Sequence, residues 1–130
     1  MALCSLEEFK ALVASSNWSY FNEKRPFRHL EKLGWGKDEL VNVLLSLHSV
    51  DYTKSFQNER VHHLPGRDTI PADQYVIYWD IDEWVRRSKA WVDGHYPYYS
   101  IVELSIKIAV VPNGIGKLAG VVTFHDSMSP

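Results

Sequence analysis

Residues 101–111 alternate apolar and polar side chains, and this alternation constrains the fold more than any other part of the sequence. A period of two is typical of a strand that has one face on a hydrophobic core. Residues 112–116 follow and contain Asn113-Gly114, a pair that favours a tight hairpin turn. A return strand is therefore predicted over residues 118–125.

Ahead of these strands the apolar residues recur at helical spacing. Ser5 and Glu8 have the spacing of a capping box, so a helix is predicted to begin there. A second helix is predicted from Pro26 to Gly34, and a third over residues 37–48. Helices followed by strands indicate an α+β domain, with N-terminal helices packed on a small antiparallel sheet. The length of 130 residues fits a single domain, 1–130.

The middle of the chain gives weaker signals. Residues 18–21 and 75–79 are predicted as short strands, and Asp51 as the cap of a short helical turn. Residues 57–73 are polar and contain proline, so a loop is predicted there. Residues 82–92 fit a helix capped by Asp82 without excluding other structures. The tail from residue 126 is predicted to be loose.

Composition excludes several classes of protein. No apolar run reaches the roughly 20 residues that cross a bilayer, and the N-terminus does not resemble a signal peptide. Cys4 is the only cysteine, so an internal disulfide and a cysteine-based zinc site are both excluded. We therefore expect a cytoplasmic protein without a membrane partner. The absence of a metal or other cofactor is an expectation of the resemblance described next. The net charge of −2 argues against a broad phosphate-binding surface.

Several segments resemble MqsR-family toxins in their order and spacing, over about half of the chain. At the C-terminal end the resemblance rests on residues 106–110 and 122–126, two strands joined by a turn. In the N-terminal half the matching segments are residues 9–13 (FKALV), 18–21 (WSYF), 30–35 (LEKLGW), 40–47 (LVNVLLSL) and 51–56 (DYTKSF). The resemblance implies a RelE-like fold, cleavage of messenger RNA without a metal, and an antitoxin protein as partner.

The resemblance also implies site residues. Lys54 matches the catalytic lysine of the family's Asp-Phe-Tyr-Lys-Ser motif, and His125 takes the position of a C-terminal lysine. Gln74 corresponds to a family glutamine, although the tryptophan beside it is missing here and the spacing from Lys54 is longer. The family's catalytic tyrosine falls near Ser105, which lacks a phenol. Another tyrosine then serves (Tyr78, Tyr98 or Tyr99), or the activity is altered or lost.

Cleavage of RNA without a metal needs a base for the 2′-hydroxyl, an acid for the leaving oxygen and positive charge for the phosphorane. Lys54 suits phosphate stabilisation or proton transfer, and His125 suits proton exchange near neutral pH. Lys107 is predicted to share a strand face with Ser105 and so to line the same site. For each of these residues the alternative is an ordinary solvated side chain.

A second group of basic residues lies in the predicted loop. His62 and His63, with Arg60 and Arg67, are candidates for RNA contacts, and the alternative is a plain polar loop. A zinc site is not indicated, because no third ligand has useful spacing.

Two rival functions remain open at this point. One is a catalytically inactive relative that binds a partner protein, and the other is an unrelated small enzyme that uses the histidines. Convergence of Lys54, Lys107 and His125 on one basic concave face favours the nuclease. Acidic side chains such as Glu103 and Asp126 on that face favour the binding protein.

Overall fold

The structure, a computed structural model, describes residues 2–22, 37–80 and 101–126. Its elements confirm the predicted α+β class, with helices ahead of most of the strands. They are helices α1 (Leu6–Ala14) and α2 (Lys37–Leu45), a 3-10 turn (Ser49–Asp51), and strands β1 (Trp18–Tyr20), β2 (Tyr52–Arg60), β3 (Thr69–Asp80), β4 (Ile101–Asn113) and β5 (Gly116–Asp126). None of the helices in these ranges is long and apolar enough to cross a membrane.

The five strands form one sheet in the order β1-β5-β4-β3-β2. Strands β3 to β5 pair antiparallel, as predicted, and β2, which was not predicted as a strand, pairs antiparallel with β3. Strand β1 pairs parallel with β5 through Trp18–Ala119 to Tyr20–Val121. The sheet is therefore mixed. The hairpin between β4 and β5 turns at Gly114, which adopts a φ of 63° that glycine tolerates without strain.

The helices and one face of the sheet enclose the main core. Ser5 caps α1 by accepting a hydrogen bond from the Glu8 amide at 3.2 Å, which confirms the predicted start. The alternation in β4 turns Leu104, Ile106 and Ile108 towards the helices. The other buried residues of this core are Phe9, Val13, Leu40, Val43, Leu44, Leu47, Tyr75, Ile77, Trp79, Ala119, Val121 and Phe124.

The prediction of a loop over residues 57–73 is wrong at both ends, because β2 continues to Arg60 and β3 begins at Thr69. Proline is tolerated inside β3 because Pro71 lies before the β3–β4 pairing, which begins at Asp73. Pro71 also faces a register shift in β2, so its missing amide leaves no ladder hydrogen bond unmade.

The predicted cap at Asp51 is also corrected. Asp51 ends the 3-10 turn, and its carboxylate accepts a hydrogen bond from the His48 amide at 2.9 Å. The chain then enters β2 at once. The predicted helices over residues 26–34 and 82–92, and the tail after Asp126, lie outside the described residues.

The face opposite α1 and α2, called the far face below, carries a second hydrophobic cluster at one end. Phe21 packs there against Gly120, together with Val61, Ile70, Ala72, Ala109, Val111 and Val122. The Asn22 amide donates to the carbonyl oxygens of Arg60 and Val122, at 2.8 and 3.2 Å. Since β2 and β5 are three strands apart in the sheet, this bridge shows that the sheet curls towards its far face at this end.

Candidate functional site

Four side chains form a row across the far face, called the polar row below. The register pairs Lys54 of β2 with Gln74 of β3, Gln74 with Lys107 of β4, and Lys107 with Thr123 of β5. Residues directly opposite each other in neighbouring strands share a face of the sheet. His125 lies on the same face, opposite Ser105, which is two residues before Lys107. The structure thus brings together Lys54, Gln74, Lys107 and His125, which the sequence nominated separately.

Two lysines of the polar row contact the same aromatic ring, that of Phe56. The Lys107 ammonium lies 4.1 Å from the centroid of the Phe56 ring, and the Lys54 ammonium lies 5.0 Å from it. Ammonium groups at this distance are attracted by the ring quadrupole. Phe56 therefore contacts both lysines of the polar row.

A carboxylate pairs with one of these lysines, Lys107. Glu59 Oε1 accepts from Lys107 Nζ at 2.7 Å, and only 17% of the Lys107 side chain and 21% of the Glu59 side chain are exposed. Glu103 lies on the same face, opposite Tyr78. Around the polar row, two lysines thus lie on the same face as two glutamates, so this part of the face is neither strongly basic nor acidic. This balance matches the small net charge of the whole chain, −2.

Neutral polar side chains lie on both sides of Lys107 in the row, Gln74 on β3 and Thr123 on β5. Gln74 Nε2 donates to Ser105 Oγ at 2.6 Å, and Ser105 is almost completely buried. Thr123 is 6% exposed, and its hydroxyl has no hydrogen-bond partner among the described residues. Ser105 therefore fixes the Gln74 amide, while the Thr123 hydroxyl is buried at a cost in free energy.

The predicted RNA-binding residues of the loop do not join the polar row. Arg60 is paired with Thr69 in the register, five positions along β3 from Gln74. At about 3.3 Å per strand residue this is a separation of ~16 Å. The side chains of Arg60, His62, His63 and Arg67 are exposed. The amides of His62 and His63 both donate to the Phe21 carbonyl, at 3.1 and 2.9 Å, so this loop is held to the end of β1.

Sequence reasoning missed Glu59, Phe56 and Thr123. Glu59 fell inside the predicted loop, and a register shift between Phe56 and Glu59 hides its position relative to Lys54. Thr123 lies beside another register shift, because it pairs with Lys107 while the next residue of β4, Ile108, pairs with Val121. Such bulges change which side chains share a face without leaving a clear mark in the sequence. The one available signal was the spacing of Lys54 and Phe56, since residues two apart in a strand share a face.

The titratable groups with raised pKa values lie on the helix side of the sheet. Burial, followed by a hydrogen bond to Asp73, raises the pKa of the Cys4 thiol to about 12. Burial also raises the pKa of Tyr75 to about 12. Cys4 is therefore a neutral thiol at physiological pH and does not serve as a thiolate nucleophile.

The described residues contain no group of three His, Cys, Asp or Glu side chains placed to hold a metal ion. Comparison with known proteins gives no relative, since no family model, no curated protein and no solved structure matches this chain.

Replacing Thr123 with valine is expected to raise the free energy of unfolding by about 1 kcal/mol. Valine keeps the shape and removes a buried hydroxyl that has no described partner. Urea unfolding of the variant beside wild type measures the change, and Thr69→Val, at an exposed position, serves as the control. A less stable Thr123→Val variant with an unchanged control would show that the hydroxyl makes a favourable contact.

Proposed function

We propose that this chain is a toxin-type endoribonuclease that cleaves messenger RNA without a metal and is neutralised by an antitoxin protein. The observation that carries the proposal is the convergence of Lys54, Gln74, Lys107 and His125 on the far face. Each residue comes from a different strand, and together they supply the charge and proton transfer that the reaction needs. The resemblance to MqsR-family toxins supports the same activity.

The proposed reaction is attack of a ribose 2′-oxygen on the adjacent phosphorus. The 2′-hydroxyl gives up its proton to a base, the bond from phosphorus to the 5′-oxygen breaks, and that oxygen takes a proton. The products are a 2′,3′-cyclic phosphate and a 5′-hydroxyl. Lys54 and Lys107 stabilise the negative charge of the phosphorane. His125 exchanges one of the protons, because the two ring nitrogens of imidazole can donate and accept a proton.

Ser105 takes a supporting part in this mechanism. Its hydroxyl accepts a hydrogen bond from Gln74, which orients the glutamine amide within the polar row. An aliphatic hydroxyl is a poor proton donor compared with a phenol. His125, opposite Ser105 in the register, therefore serves as the proton donor to the leaving oxygen. Tyr78 lies on the same face, whereas Tyr98 and Tyr99 lie outside the described residues.

Lys54→Ala and His125→Ala are each expected to slow RNA cleavage by about 100-fold, since both remove a group that acts in the transition state. The assay follows an end-labelled RNA in the presence of a chelator, with purified wild-type and variant proteins. Lys117→Ala is the matched control, because Lys117 is an exposed lysine paired with Glu8 of α1. A substrate with 2′-deoxyribose at the cleaved position is expected to resist every protein.

Intact RNA after prolonged incubation with folded wild-type protein would sink the nuclease proposal. The second candidate, a relative that has kept the fold and binds a partner protein, then becomes the better one. The ion pair between Lys107 and Glu59 favours this candidate, because it neutralises one of the two cations of the site. Expression in a bacterial host separates the two, since only the nuclease is expected to arrest growth together with loss of messenger RNA.

A further inference from the structure

We propose that Glu59 occupies the phosphate position of Lys107 in the free protein and that RNA must displace it to bind. Glu59 would thus be a competitor built into the site, and it would set which anions the site accepts. The inference rests on the proposed function, from which it takes the phosphodiester as the ligand.

The geometry of the ion pair is the first step. A single carboxylate oxygen of Glu59 lies 2.7 Å from the Lys107 ammonium. A phosphate oxygen binds an ammonium at the same distance and with the same charge-assisted hydrogen bond. Because most of both side chains is shielded from water, solvent screens the attraction only in part. An incoming phosphate therefore competes with Glu59 for one position.

The backbone of β2 aims Glu59 at this position. The register shift after Phe56 adds a residue to β2, and Glu59 is then paired with Ile70. Lys107 is paired with Gln74, four residues further along β3. The two side chains meet only because the bulge and the long lysine side chain bring them together over the Phe56 ring. A regular strand would not place the carboxylate there.

The Phe56 ring provides a contact for both lysines that does not depend on Glu59. The ammonium groups of Lys54 and Lys107 both contact this ring, so each keeps this contact without the carboxylate. Displacement of Glu59 then frees Lys107 for a ligand that can also contact Lys54, which is exposed throughout. An RNA strand that contacts both lysines competes well with a single carboxylate, whereas a small anion that contacts one lysine does not. Glu59 thereby selects a polyanion over a free nucleotide.

The test compares two variants with the same change in net charge. Glu59→Gln removes the proposed competitor, and Glu8→Gln breaks the exposed ion pair with Lys117, whose length is 2.9 Å. The probe is a short, fully 2′-O-methylated RNA with a fluorescent label, which binds but is not cleaved. Anisotropy gives the Kd of wild type and of both variants over a range of salt concentrations.

Glu59→Gln is expected to lower the Kd by about tenfold. The slope of log Kd against log salt concentration is expected to steepen by the amount that corresponds to about one more phosphate contact. Glu8→Gln is expected to change the Kd by less than about twofold, as for other exposed pairs. Adding Lys107→Ala to Glu59→Gln is expected to abolish the gain.

Unchanged or weaker binding by a folded Glu59→Gln protein overturns the inference and makes Glu59 a positioning residue for Lys107. If the wild type also cleaves RNA, the nuclease proposal survives that result. If the wild type leaves RNA intact while Glu59→Gln binds the probe more tightly, the inference stands and the nuclease proposal fails.

Discussion

Asp73→Ala is expected to lower the free energy of unfolding by about 3 kcal/mol or more. Asp73 is completely buried, and its carboxylate accepts hydrogen bonds from the amides of Leu3 and Cys4, at 2.8 and 2.9 Å, and from the Ser55 hydroxyl at 2.6 Å. Alanine leaves these donors without an acceptor, at about 1–3 kcal/mol for each group that stays buried. Urea unfolding, followed by tryptophan fluorescence, measures the loss.

Asp68→Ala is the control for this variant, because it removes an exposed carboxylate from the turn between β2 and β3. Its stability is expected to stay within about 0.5 kcal/mol of wild type. Asp73→Asn keeps one acceptor oxygen and should fall between the two. A loss at Asp73→Ala no larger than at Asp68→Ala would show that the N-terminal segment contributes little to stability.

Gly120→Ala is expected to lower the free energy of unfolding by about 2–3 kcal/mol, because there is no room for a methyl group. A Cβ at this position would overlap the Phe21 ring, which packs directly on the glycine. The ring is completely buried, and its backbone is tied to Val121 by a hydrogen bond of 2.9 Å. The substitution must therefore displace a central side chain of the second cluster. Thermal unfolding with matched urea curves measures the effect.

Gly116→Ala is the matched control, since a Cβ there meets only the Asn113 carbonyl at 3.8 Å, an ordinary contact. Combining Gly120→Ala with Phe21→Ala should cost less than the sum of the two single changes, because the overlap disappears with the ring. Additive losses would contradict the close approach of Phe21 to Gly120.

The elements whose apolar residues recur with a clear period were predictable from the sequence. Those that depend on contacts with other strands were not. The alternation of β4 and the capping box at Ser5 are local signals, and the structure confirms both. The parallel pairing of β1 leaves no such signal, because it depends on a partner about 100 residues away. The ends of β2 and β3 were missed because Pro71 and the bulges interrupt the pattern that marks a strand.

The candidate site divides in the same way. The resemblance to a toxin family pointed to Lys54, Gln74 and His125 one at a time, and the register then placed them on one face. Their neighbours Glu59 and Phe56 follow from contacts across strands, which no linear spacing encodes. The loop with His62 and His63 was chosen for composition alone, and the structure places its exposed side chains away from the polar row.

The Asn22 bridge has a consequence for the order of folding. It joins residues 100 positions apart in the chain, whereas the β2–β3 and β4–β5 hairpins close over short turns. Closing a long loop costs more conformational entropy, so contacts between distant residues form slowly. The hairpins that carry the polar row are therefore expected to pair first, and β1 to dock on β5 afterwards. Until β1 docks, the Phe21 ring does not pack on Gly120, and water has access to the second hydrophobic cluster, which is buried in the folded protein.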